Sequence, residues 1–248
     1  MADSLAGLVL AAGAGTRMEP LTRVRPKPLL PLGRVTLVDH AVSRLRECTT
    51  RIAVNVHHGR RPMEDHLGDR VHLSVEDQPG LGTAGGVAHA KGWISGDDLV
   101  VVNGDTWCPG NLGPFLDSWD RDRVRVVVAG EPTLGPQSRI VASFMPAAAV
   151  AGLREVPSGL YEVCWGPRAE QGGLEVVGWE GLVIDCATPR DYLTANLSAS
   201  RGQSVIGRGA VVEGTVTRTV VWPGARVWPD EVLVDAVRTD AGVTVLVR

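Results

Sequence analysis

Lysine is almost missing from this chain. Of its 25 Lys and Arg residues, only Lys27 and Lys91 are lysines. Where arginine serves nearly everywhere, the lysine kept between two prolines in Pro26-Lys27-Pro28 marks a place that a guanidinium does not fill. Histidine stops early: His40, His57, His58, His66, His72 and His89 are the full set. The four cysteines, Cys48, Cys108, Cys164 and Cys186, stand alone. They lack the paired spacing of a zinc site and the density of a disulfide scaffold, and read as reduced thiols. No apolar run approaches the roughly 18 residues of a membrane span, and no basic-then-apolar leader is present. A soluble, cytoplasmic protein with no membrane partner is therefore expected. A formal net charge of −3 leaves no basic excess for nucleic acid. The 248 residues suffice for a full core, as one domain or one plus an appendage.

What is present is an alternation of β-rich apolar runs with helix-period segments. Residues 8–12, 52–56, 71–75, 99–103 and 124–129 read as strands; 37–48, 62–67, 83–93 and 112–119 read as helices. Strands this apolar need cover on both faces, which predicts an α/β fold, a Rossmann-like and mostly parallel sheet flanked by helices. Ligands of such sheets bind beyond the carboxyl ends of the strands. The loops at Gly13 and Gly80 and the run Asn103-Gly104-Asp105 all fall at such ends.

Past residue 140 the pattern loosens. Residues 140–144, 174–177 and 182–185 are expected as strands of an extension sheet, and 154–157 as the end of a helix. Thr188 and Pro189 open another helix, as N-cap and first position, which runs to about Arg201-Gly202. Beyond Gly202 an aliphatic residue recurs every sixth position, as in Ile206-Gly207-Arg208-Gly209-Ala210-Val211. This is similar to the hexapeptide repeat of left-handed β-helices, at two to three coils. The expected division is a main domain over 1–202 and a short β-helix-like tail over 203–248.

The first strand empties into Gly13-Ala14-Gly15-Thr16-Arg17, ten residues before Lys27. Glycines let backbone N–H groups approach phosphate oxygens, an Arg forks onto a phosphate, and a Lys supplies a point charge. A P-loop would end in Gly-Lys-Ser/Thr, which is absent. A dinucleotide fingerprint would need a third small residue at Met18 and an acid closing the second strand, where His57-His58-Gly59 stands instead. The combination of Gly13, Gly15, Arg17, Pro20-Leu21-Thr22 and Pro26-Lys27-Pro28 resembles the sugar-nucleotide pyrophosphorylases, nucleotidyltransferases that make NDP-sugars. The resemblance implies an NTP and a sugar-1-phosphate as substrates, with Arg17 and Lys27 catalytic. It implies nucleotide contacts from Leu10, Ala11, Ala12, Gly13, Gly15 and Thr16. It gives the reading of the base to Gln78, Gly82, Thr83 and Gly85 of the run Glu76–Gly86. One branch transferring thymidylyl and uridylyl groups carries Gln at the position of Gly85, so GTP or UTP is favoured over dTTP. The run Gly82-Thr83-Ala84-Gly85 is closer to the mannose-1-phosphate guanylyltransferase and N-acetylmuramate-1-phosphate uridylyltransferase branches.

Asp105 leaves an apolar strand directly for the ligand face, where a carboxylate needs a metal or an Arg beside it. The resemblance makes Asp105 and Asp185 the two protein ligands of Mg²⁺, the phosphates and water completing the shell. It leaves the sugar to Asn103 and Gly104. The segment in which relatives carry a Lys or Glu for the sugar phosphate is shortened here around 130–140, and Arg139 is the candidate replacement. Two other readings stay open: a non-sugar phosphate acceptor such as phosphocholine, although no aromatic cage is evident, and a catalytically weak regulatory subunit. With no histidine available to it, the tail is expected to form a partner surface, for a possible homo-oligomer, rather than an acyltransferase.

Overall fold

The computed structural model describes residues 5–77 and 80–247, and in it the chain forms two compact units. The first takes Met1–Gly13, Ala41–Gly104 and Cys108–Val183; the second takes Ala14–His40, Asp105–Trp107 and Ile184–Arg248. The chain thus changes unit immediately after Gly13 and immediately before Asp105. Gln78 lies outside the described residues.

The first unit is built on seven strands: β1 (Leu5–Leu10), β2 (Ile52–Val56), β3 (His72–Val75), β4 (Asp98–Asn103), β5 (Val124–Ala129), β6 (Ile140–Met145) and β7 (Leu174–Trp179). Their order across the sheet is β7-β5-β6-β4-β1-β2-β3. Only β6 runs antiparallel to its neighbours, β4 and β5; the other pairs are parallel. The central strands carry Ala6, Leu8, Ala53, Leu99 and Val101 into one core with the helix Gly82–His89. The mostly parallel α/β sheet expected from the apolar runs is present.

The later part of this unit corrects the sequence reading. Strands 140–145 and 174–179 belong to the main sheet, not to an extension. From Val141 to Met145 every residue of β6 is buried, because β6 lies between two other strands. The helix expected to end at 154–157 stops at Ala151, before Gly152 and well short of Pro157. The helix expected over 83–93 is two, Gly82–His89 and Lys91–Ile94. Of the strand expected over 182–185 only Ile184–Asp185 forms, and it belongs to the second unit.

The second unit is organised around the helix Pro189–Ala199. Its N-terminus carries a reciprocal cap: Asp191 N donates to Thr188 Oγ1, and Thr188 N donates to an Asp191 carboxylate oxygen at 2.9 Å. Met18, Leu21, Leu30, Tyr192, Trp222 and Val237 share its core. Trp222 is fully buried and its Nε1 donates to Tyr192 Oη, which donates in turn to Pro31 O. Burial pushes the Tyr192 phenol well above its ordinary range. Strands Val205–Ile206, Thr215–Val221 and Val232–Arg238 stack in parallel, Val205 opposite Val220 and Thr219 opposite Ala236. Val211–Val212 pairs in parallel with Arg226–Val227. The last strand, Thr244–Leu246, turns back antiparallel along Val232–Arg238 and covers an edge that would otherwise stay open.

Candidate functional site

In the second unit three distant chain segments bring their charges together. Lys27 begins a single 3-10 turn, Lys27–Leu29, pinned by buried Pro28 and Leu29. Its Nζ donates to Asp105 Oδ2 at 2.5 Å. The Lys27 side chain is 10 % exposed and that of Asp105 33 %, so the pair is shielded without being sealed. Asp105 leads into Thr106–Trp107, which pairs antiparallel with Ile184–Asp185, setting Asp185 opposite Thr106. Cys186 N also donates to Asp105 O at 3.0 Å. This two-residue ladder carries the second carboxylate to the first. Loss of hydration and then the like charge of Asp105 push the Asp185 carboxyl above its usual range, while Lys27 and Arg17 act the other way. Asp185 is exposed by area, so the electrostatic part of this shift is screened by water but keeps its sign. Arg17 is exposed on the 3-10 turn Thr16–Met18. Gly15, before it, has φ +65°, and a Cβ there would stand 3.0 Å from Lys27 Cβ; the close approach of the loop to Lys27 requires glycine.

In the first unit the start of the glycine loop is held by two residues that the sequence reading missed. Ala11 N donates to Asn55 Oδ1 at 2.5 Å, and Asn55 Nδ2 donates to Glu76 Oε1 at 2.7 Å. Both side chains are buried. Burial pushes the Glu76 carboxyl up, partly offset by the Asn55 hydrogen bond and by His89 and His57. The sequence signal was a polar residue inside the apolar run Ile52–Val56. Gly13 is exposed, with open space where a side chain would stand. Ala12, half-buried, places its carbonyl 3.2 Å from His58 Nδ1.

Gly82, Thr83 and Gly85 face the chain's own segment 156–160. A Cβ on Gly82 would lie 2.5 Å from Ser158 O, and one on Gly85 would lie 2.5 Å from Val156 O. Ala84 N donates to Ser158 O, Ser158 N to Leu81 O, and Leu160 N to Thr83 Oγ1. The close approach allowed by these glycines is taken up by this segment. His89 helps to fasten it, with Nδ1 2.9 Å from Glu155 Oε1 and Nε2 2.8 Å from Val75 O. Beside Thr83 opens a cavity of about 240 Å³, which Leu10 and Asn103 also line. Gly104 N donates to Leu10 O, tying the ends of β4 and β1. Arg139 is exposed, donates to Val183 O at 3.1 Å and does not line this cavity.

With this geometry in hand, relatives give the chain its place. Residues 7–163 match the family described as the MobA-like NTP transferase domain. The chain belongs to that family. It is 36 % identical to an N-acetylmuramate α-1-phosphate uridylyltransferase of Caulobacter vibrioides over 132 residues, covering 48 % of this chain and 54 % of that protein. A protein of the same name from Neisseria meningitidis is 41 % identical over 40 % of this chain and 46 % of its own. The chain therefore spans about half the length of these two relatives. A mannose-1-phosphate guanylyltransferase of Mycobacterium tuberculosis is 24 % identical over 96 % of this chain and 82 % of that one. Among solved structures, a putative glucose-1-phosphate thymidylyltransferase from Bacillus anthracis superposes with a TM-score of 0.70 at 20 % identity, covering 79 % of this chain and 95 % of that chain. That likeness establishes the shared fold. Among the described residues no helix is long and apolar enough to cross a membrane.

Proposed function

We propose that this chain transfers a nucleotidyl group from an NTP to a sugar-1-phosphate, releasing pyrophosphate and an NDP-sugar. The observation that carries the reading is the convergence of Lys27 and Asp105, joined at 2.5 Å, with Asp185 on the neighbouring ladder. A sugar phosphate is largely dianionic at neutral pH, since phosphate monoesters have a second pKa near 6. It needs no general base. The difficulty is to bring one polyanion onto the α-phosphorus of another, and that calls for fixed positive charge and alignment. Lys27 meets the α-phosphate, and Arg17, exposed on its turn, meets the leaving pyrophosphate.

Asp105 and Asp185 suit Mg²⁺. Asp185 is pushed up by loss of hydration and then by the like charge of Asp105, and a divalent cation offsets both. No cluster of three or more His, Cys, Asp or Glu among the described residues offers a complete protein shell. A cation that takes one or two carboxylates and fills its shell with phosphate and water fits such a pair. When bound, it supplies charge neutralisation on the phosphates. Backbone at Leu10, Ala11, Ala12, Gly13, Gly15 and Thr16 then cradles the nucleotide, and Gln78, Gly82, Thr83 and Gly85 are retained for the base, a role that for the last three needs segment 156–160 to move aside. Asn103 and Gly104 meet the sugar. Arg139 is retained as the candidate for the acceptor phosphate, a role that needs its guanidinium to leave Val183 O.

Names of relatives acting on UTP-, GTP- and dTTP-type chemistry support the class of reaction without choosing the base. The reading places the enzyme in the cytoplasm. It treats 1–202 as the catalytic part and 203–248 as a short left-handed β-helix, for which the stacked parallel pairs are the support. Exposed Ile206, Val211 and Val232 on that stack favour self-association. A pyrophosphate-release screen of the four common NTPs and dTTP against a panel of sugar-1-phosphates, with and without Mg²⁺, tests the function. No release above background from any pair contradicts it.

A further inference from the structure

The cavity of the first unit has an unusual chemistry for a protein that handles polyanions. Leu10, Val101, Val102, Ile140 and Leu160 give it apolar walls. Among the described residues no Lys, Arg or His lines it, and the one carboxylate in its lining is Glu162. Glu162 is exposed, and its carboxylate folds back over Gly159, which also lines the cavity. Two further lining residues carry buried polar atoms without a partner. They are Ser143 Oγ, on a side chain 1 % exposed, and Trp165 Nε1, on one 7 % exposed. Both atoms are closed off behind the cavity wall, and the other polar side chains among the lining residues are those of Thr83, Asn103, Tyr161 and Glu162.

The position of the cavity says which substrate it serves. Strand β3, directly before the run Glu76–Gly86 read for the base, lies on one side of β1 in the sheet. The cavity takes Leu10 from β1, Val101, Val102 and Asn103 from β4, and Ile140 and Ser143 from β6, which lie on the other side of β1 in the sheet. About 240 Å³ holds a single sugar ring.

Resting on the nucleotidyltransferase reading, we infer that this cavity receives the body of the acceptor and selects a neutral or amino sugar phosphate over one bearing a carboxylate, with Glu162 setting the choice. A sugar hydroxyl or ammonium finds hydrogen-bond partners there. A sugar carboxylate meets apolar walls, one like charge and no cation, so its desolvation goes uncompensated. With no Lys, Arg or His among the described lining residues, the acceptor's own phosphate finds no partner here and stays outside this cavity.

The test pairs each neutral sugar-1-phosphate with its uronate, glucose with glucuronate, galactose with galacturonate and mannose with mannuronate, because each pair differs only at C6. The full-length chain is assayed with Mg²⁺ and its best NTP for kcat/KM. The expected result is a preference of about tenfold or more for the neutral member, the scale of one like-charge contact partly screened by water. Glu162→Lys should shrink or invert that ratio, with far-UV circular dichroism confirming the fold. Equal use of both members, or a ratio unmoved in Glu162→Lys, overturns the inference while leaving the nucleotidyltransferase reading intact. A change in NTP preference with no change in the acceptor ratio overturns it too, since the cavity then serves the base. If no acceptor turns over, the function itself is wrong. Ligand-observed NMR with the same pairs then decides the cavity's preference alone: selective binding of the neutral members upholds it, and equal or absent binding overturns it.

Discussion

Lys27 Nζ stands 2.5 Å from Asp105 Oδ2, although 78 positions separate the two residues in the sequence. In a chain with one other lysine, the ammonium is held 90 % shielded, against a carboxylate that the proposed chemistry also needs. A pair arranged in this way keeps the lysine aimed before substrate arrives. Lys27→Ala is expected to lower kcat by about 10²–10³, the usual effect of removing one electrostatic group from a transition state. Lys27→Arg should rescue little, because a planar fork does not replace a compact ammonium. Steady-state kinetics on folded variants check both; near-normal turnover in Lys27→Ala removes Lys27 from the mechanism.

Asp185→Asn should separate the metal's role from the fold's. The Asp185 carboxyl is pushed up by partial loss of hydration and by Asp105, so at neutral pH its ionised form is a liability in the metal-free protein. The amide should therefore give a small rise in Tm without Mg²⁺, and should lose the further rise that Mg²⁺ with an NTP gives the native chain. Asp105→Asn should also lose the Mg²⁺ response, but without the rise, because it unpairs Lys27. Differential scanning fluorimetry with and without Mg²⁺ reads all of these. A full Mg²⁺ response in either variant contradicts the two-carboxylate site.

Glu76 gives a pH signature of the loop support. Burial holds its carboxyl above the ordinary 4.5 in the folded chain. Between 4.5 and that raised value the folded state keeps a proton that the unfolded state has lost, so its contribution to stability falls as pH rises through the window. Glu76→Gln removes the titration. The difference in unfolding free energy, native minus variant, should therefore be most favourable to the native chain at or below about pH 4.5, decline above it, and level off. Urea titrations of both proteins at several pH values measure it; a difference that rises with pH sinks the account of Glu76.

Much of this was legible in the sequence where one physical signal dominated. The runs at 52–56 and 124–129 are strands with those limits, since short buried runs rich in Val and Ile favour a strand over a helix. Thr188 caps its helix as its position before Pro189 demands. The first strand was misjudged at its end, ending at Leu10 rather than residue 12, because Ala11 gives its N–H to the Asn55 side chain instead of to a neighbouring strand. Local sequence cannot announce such a long-range hydrogen bond. Strand β6 was misplaced for a related reason: antiparallel insertion between two parallel halves is a decision of topology, and Ser143 blurred its apolar pattern. The charged site was legible because Lys27, Asp105 and Asp185 stand in distinctive local runs. The cavity was not, because Ser143, Glu162 and Trp165 come from segments with no motif.

Gly85 tests how far the segment 156–160 depends on contact with the helix beneath it. An added methyl would lie 2.5 Å from the Val156 carbonyl, so the segment must move. Gly85→Ala is expected to cost about 1–3 kcal/mol, as overpacking usually does. Gly13→Ala, where no atom lies within 4 Å, should cost far less. Chemical denaturation of the two variants compares them; equal losses would mean that segment 156–160 yields freely.

The central claim is attack on the α-phosphorus of an NTP by a sugar phosphate. Parallel reactions with α-³²P- and γ-³²P-labelled NTP, each with the sugar-1-phosphate found active in the screen, follow both products at once. The account predicts α label in an NDP-sugar and γ label in pyrophosphate, in equal amounts, with both lost in Lys27→Ala. Label from the γ position on the sugar, or α label released as free NMP, would contradict it.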